Sequence, residues 1–109
     1  MASFLLQCAY TPEAVAALVA RPQNRTTVIK RAVESAGGKL TGAWMSFGDY
    51  DVVVLAEFAN NINAAALALA VTAGGSLKSV KTTPLLSLND ARAALRKAAK
   101  SGYKPVAKR

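Results

Sequence analysis

Apolar and polar positions alternate through "SFLLQCAYT", with Phe4, Leu6, Cys8 and Tyr10 on one side and Leu5, Gln7 and Ala9 on the other. A period of two is the mark of a strand. Thr11 then offers an N-cap, with Pro12 at the first helical position and Glu13 in the first turn, where the helix dipole favours a carboxylate. The spacing predicts a helix that is interrupted near Pro22 and resumes around residues 24–26. Beyond the interruption, Val28, Ile29, Ala32, Val33 and Ala36 fall on one helical stripe, and Gly37-Gly38 stops it.

Two further strand-like runs follow, "KLTGAWMSF" and "YDVVVLAEF". A two-residue type II′ turn at Gly48-Asp49 is expected to join them, with Tyr50 and Asp51 opening the third strand and pointing to opposite faces. "NNINAAALALAVTAGG" reads as an asparagine-capped helix, apolar on nearly all sides and ended by Gly74-Gly75. In "LKSVKTTPLL" the lysines and Pro84 suit a strand at a sheet edge. Ser87 and Asp90 have the spacing of a capping box before a last helix with Ala91, Leu95 and Ala98 on its apolar side.

The order is strand, helix, strand, strand, helix, strand, with a terminal helix. This is the ferredoxin-like βαββαβ pattern, an α+β fold in which an antiparallel sheet carries its helices on one face. The first and third strands should lie at the centre and the second and fourth at the edges, in keeping with the more apolar runs being the first and third. The expected division is a ferredoxin-like domain over residues 1–90 and a C-terminal helix and basic tail over residues 91–109.

Alternation in the third strand has a consequence for partners. Val52, Val54, Ala56 and Phe58 share one side, yet Val53 and Leu55 are apolar on the other. Helices bury one face of such a sheet, so apolar surface remains opposite. A second copy laid sheet against sheet is the expected cover, making the chain a homo-oligomer; the competing cover is the terminal helix folded over that face.

Composition narrows the chemistry. The 109 residues suit one modest core, and the single cysteine, Cys8, forms no intrachain disulfide. No histidine is present, which removes histidine-dependent triads and histidine metal sites. No motif calls for a cofactor: neither glycine pair follows a strand and opens a helix as a phosphate loop does. The longest apolar run, residues 62–73, is too short to span a bilayer and contains Asn63 and Thr72. No charged leader precedes the short N-terminal apolar run, so a soluble cytoplasmic protein without a membrane partner is expected.

The net charge of +8 suggests nucleic acid until it is located. Arg92, Arg96, Lys97, Lys100, Lys104, Lys108 and Arg109 supply half of the fourteen basic residues and no acid accompanies them after Asp90. The body before them holds seven bases and six acids. The tail could meet nucleic acid, a membrane surface or an acidic partner, but its helix is only partly amphipathic and Tyr103 is its only large aromatic; a solvated tail is the simpler expectation.

"GDYDVVVLAEF", preceded by "RAVESAGGKLTGAWMSF" and followed by "GSLKSVKTTPL", resembles the GYD domain family of small bacterial proteins. The family's Gly-x-Tyr-Asp motif stands here as Gly48, Tyr50 and Asp51, and the likeness extends to about Asp90, leaving the basic tail outside. The resemblance implies a ferredoxin-like fold and carries no assigned activity. The main expectation is therefore a non-catalytic homo-oligomeric module binding a small polar ligand or a protein partner. Its candidate binding residues are Tyr50, Asp51, Lys81, Thr82, Thr83 and Tyr10, with Trp44 and Cys8 as walls. The alternative is a cofactor-independent enzyme in which Tyr50 and Asp51 act at a subunit boundary, with Lys81 as the cation a tyrosine hydroxyl would need near neutrality. Turn chemistry alone also accounts for Gly48, Asp49, Tyr50 and Asp51.

Overall fold

A computed structural model describes residues 1–107; Lys108 and Arg109 of the basic tail lie outside the described residues. The elements run β1 (Ala2–Tyr10), α1 (Pro12–Ala20), α2 (Thr26–Ser35), β2 (Lys39–Met45), β3 (Val52–Phe58), α3 (Asn61–Ala73), β4 (Leu77–Leu85) and α4 (Leu88–Ala99). The four strands form one antiparallel sheet in the order β2-β3-β1-β4, which places β1 and β3 at the centre as the α+β, ferredoxin-like pattern requires.

Local chemistry explains the boundaries. The Thr11 hydroxyl accepts from the Ala14 N–H at 3.1 Å and caps α1. Asn60 and Ser87 do the same for α3 and α4 through the N–H groups of Asn63 and Asp90. Gly37 ends α2 in the left-handed region at φ +81, a conformation glycine adopts at little cost. Gly38 serves a different purpose: its α-carbon lies against Phe58, and a Cβ there would fall 2.4 Å from the ring.

Phe4, Leu6, Val54, Ala56 and Phe58 project from β1 and β3 toward α2 and α3, where Val33, Ala64 and Leu67 meet them in a buried cluster. The rings of Phe4 and Phe58 pack edge to face, with centroids 5.7 Å apart. The other face of the sheet presents Leu5, Val53 and Leu55, half-buried, beside Trp44 on β2. Trp44 lies over Gly42, whose added Cβ would stand 2.5 Å from the indole ring.

The terminal helix does not close that face. No residue of α4 is buried, and Leu88 and Leu95 expose most of their surface. The radius of gyration is 17.6 Å, against about 13 Å for a compact chain of this size. Among the described residues no helix is long and apolar enough to cross a membrane.

The connection between β2 and β3 departs from the two-residue turn expected of Gly48-Asp49. The Ser46 N–H donates to the Asp51 carbonyl at 2.8 Å, and the Ser46 hydroxyl donates to the Tyr50 carbonyl at 2.8 Å. The loop therefore holds Phe47 to Tyr50, and β3 begins at Val52 rather than Tyr50. Gly48, at φ +128, supplies the backbone conformation within this longer loop.

Candidate functional site

Asp51 is fixed by contacts far away in sequence. Its carboxylate Oδ2 accepts the Tyr10 N–H at 2.8 Å, while its own N–H donates to the Cys8 carbonyl at 2.8 Å. The register of β1 against β4 shifts between Ala9 and Tyr10, so the Tyr10 N–H stands where the ladder is irregular and a side chain can satisfy it. Turn chemistry would have Asp51 serve backbone donors of its own loop, whereas the donor it accepts from lies 41 positions away on β1.

The other expected site residues divide between the two faces. Lys81 pairs with Gln7 and Thr83 with Leu5, on the face away from α2 and α3; Thr82 pairs with Leu6, on the helix side. Gln7 in turn pairs with Val53 of β3, so Lys81 is two strands, about 10 Å, from the third strand before the distance back to Tyr50 is counted. The structure does not bring Lys81 to the Tyr50 hydroxyl. It does bring together Tyr10, Asp51, Cys8 and Trp44, each of which lines one of two neighbouring cavities.

The smaller cavity, about 250 Å³, lies between the helix layer and the sheet. Leu6, Val52 and Val54 form its floor, Val28, Ile29 and Ala32 of α2 one wall, and Leu67 and Val71 of α3 the other. Ala32, one of two alanines in the α2 stripe, contributes only a methyl group to this wall. Cys8 also lines this space; burial pushes its thiol pKa up from the ordinary value of 9.0, so it stays protonated and poorly nucleophilic near neutrality.

A second cavity, about 490 Å³, runs from there past Val15 and Val19 of α1, the Gln23–Thr26 connection and the edge of β2. Tyr10, Arg25, Ile29 and Val52 line both cavities and so stand where the two adjoin. Arg25 is the residue that sequence reasoning missed. It precedes the first turn of α2, where Asn24 accepts the Thr26 N–H at 2.9 Å, and its Nη1 donates to the neutral Oε1 of Gln23 at 3.0 Å. One arginine in a polar connection carries no distinguishing signal; only the folding of that connection over the β2–β3 edge makes it a wall residue.

Several solved structures share the fold. The crystal structure of FFRP-DM1 matches 79% of this chain and all of its own, at 13% identity and a TM-score of 0.50. The hypothetical protein PHS023 from Pyrococcus horikoshii matches over 80% of this chain and 92% of its own, at 9% identity and a TM-score of 0.51. The C-terminal domain of the MgtC protein from Mycobacterium tuberculosis matches over 78% and 88%, at 12% identity and a TM-score of 0.53. At these identities the likeness concerns the fold alone. No curated protein matches the chain. The sequence model of the GYD domain matches residues 4–95, which takes in the sheet except the first two residues of β1, its covering helices and the Gly48, Tyr50, Asp51 motif. The chain belongs to the GYD domain family.

Proposed function

We propose that the protein is a non-catalytic, homo-oligomeric binding module of the cytoplasm that holds a small ligand between its sheet and helices. The observation that carries the ligand half of this reading is the largely apolar cavity of about 250 Å³ under α2 and α3, with Tyr10 and Arg25 among its walls. Its walls differ from the polar cluster expected of the sequence, so the ligand is an apolar body with a polar end rather than a wholly polar molecule. The oligomer half rests on Leu5, Val53, Leu55 and Trp44, an apolar sheet face on which α4 buries no residue.

Support for a non-catalytic role comes from how the motif residues are used. Asp51 is engaged by the Tyr10 N–H, Tyr50 lines neither cavity, and Lys81 stands across two strands on the other face. The chain has no histidine to take over proton transfer. Nucleic acid is left out of the reading because the bases after Arg92 come with Tyr103 as their only large aromatic.

Native mass spectrometry of the protein purified from its own host tests both halves. A discrete oligomer that releases a small molecule under denaturing conditions is the expected result. A monomer would remove the sheet-face argument, and an oligomer without ligand would leave a module for a protein partner.

A further inference from the structure

Resting on the reading of the crevice as a ligand site, we infer that its occupant is a small apolar monoanion, such as an aromatic or branched aliphatic carboxylate, with Arg25 as counter-ion. The smaller cavity is lined mainly by apolar side chains, with Cys8, Tyr10 and Ser76 among them, and of the described residues in its walls Arg25 is the only charged one. The second cavity adds one more charge, Asp51, whose Oδ2 already accepts the Tyr10 N–H. Arg25 thus borders the apolar end, and its Nη1 donates to the uncharged Gln23 at 3.0 Å in an exposed hydrogen bond.

Charge and size then select the ligand class. A cation at this end would be repelled by Arg25, and a neutral apolar molecule would leave the guanidinium to Gln23 and water, without the charge-assisted hydrogen bond that an anion gains. A carboxylate matches the planar fork of the guanidinium in geometry as well as charge. One cation balances one negative charge, so a phosphate monoester or dicarboxylate would hold a second charge that the apolar walls cannot stabilise. The volume of 250 Å³ compares with about 150 Å³ for a cavity that holds benzene, which suits one ring or a short branched chain with its headgroup at the mouth.

The probes are phenylacetate and 2-phenylethanol, nearly equal in shape and different in charge, titrated to millimolar concentration into the full-length protein with NMR detection. The wild-type protein should bind phenylacetate about tenfold or more tightly than the alcohol, the difference expected of a charge-assisted hydrogen bond. Shifts should concentrate at the methyl groups of Val28, Ile29, Leu67 and Val71. In Arg25→Gln, which alters a half-exposed side chain, the advantage of phenylacetate should vanish while the alcohol binds as before. Equal binding of both probes by the wild type, or an advantage that survives in Arg25→Gln, would overturn the counter-ion role and leave the crevice as a ligand site. Binding of neither probe, or shifts elsewhere, would overturn the crevice reading itself.

Discussion

The carboxylate of Asp51 accepts the backbone N–H of Tyr10 at 2.8 Å, and the Asp51 N–H donates to the carbonyl of Cys8 at 2.8 Å. One residue thus continues the β1–β3 ladder with its backbone and spans the irregularity at the end of β1 with its side chain. The aspartate of the Gly-x-Tyr-Asp motif holds the motif's own loop against the neighbouring strand, which ties the motif to the architecture of the sheet.

Asp51→Ala leaves the part-buried Tyr10 N–H without its acceptor and should cost about 1–3 kcal/mol of stability. Asp51→Asn keeps a carbonyl acceptor and should cost less. Urea denaturation of the two variants measures the difference. An unchanged midpoint for the alanine variant would show that the contact contributes nothing to the fold.

Gly38 packs where no side chain fits. A Cβ there would lie 2.4 and 2.7 Å from atoms of the Phe58 ring and 2.9 Å from the Glu57 carbonyl oxygen. Phe58 has 0% of its surface exposed and has no space into which to retreat. Gly38→Ala should therefore destabilise by about 1–3 kcal/mol or more through overpacking. Gly48→Ala would isolate the other role of glycine, because its Cβ would meet nothing within 4 Å and only the backbone at φ +128 would be strained. Thermal unfolding of the pair separates packing from conformation.

These contacts also mark where sequence reading stops. Alternation in β1 and β3, the Thr11–Pro12 start of α1 and the glycine that ends α2 are local signals, and the chain order they give leads directly to the observed sheet. The β2–β3 loop is longer than the turn preference of Gly48-Asp49 predicts because Asp51 is tied to Cys8 and Tyr10 on the neighbouring strand. Lys81, Thr82 and Thr83 are adjacent in sequence but alternate between the two faces, with β1 interposed between them and β3. Arg25 becomes a site residue only through the packing of a connection that has no periodicity of its own.

Cys8 is 7% exposed and burial pushes its thiol pKa above 9.0. The folded state retains the thiol proton at pH values where the unfolded chain has lost it. Its stabilising contribution is therefore fully present below about pH 9 and is lost as pH rises from there through the folded-state value, by at most about 1.4 kcal/mol per pH unit. The stability difference between wild type and Cys8→Ala, followed from pH 7 to 10.5, should be flat at first and then fall. A constant difference over the whole range would contradict burial of the thiol.

Leu55 occupies the middle of the open sheet face, opposite Leu5 on β1 and Gly42 on β2, with Trp44 two pairs further along on the same face. The indole ring lies over Gly42 yet remains 57% exposed, so one side of it is free to meet another surface. A second copy of the chain would cover this patch, and a charge placed at Leu55 would then be buried without a partner, at a cost of several kcal/mol per ion. Sedimentation of the wild type should show an oligomer, and Leu55→Arg should show a folded monomer, because in the isolated chain that face is open to water. Gly42→Ala should produce a weaker version of the same effect: the new Cβ, 2.5 Å from the ring, forces Trp44 off the sheet and roughens the contact while leaving the α2–α3 core alone. If Leu55→Arg sediments as the wild-type oligomer, the subunits meet elsewhere. The exposed apolar stripe of α4, with Leu88 and Leu95, would then be the surface to test next.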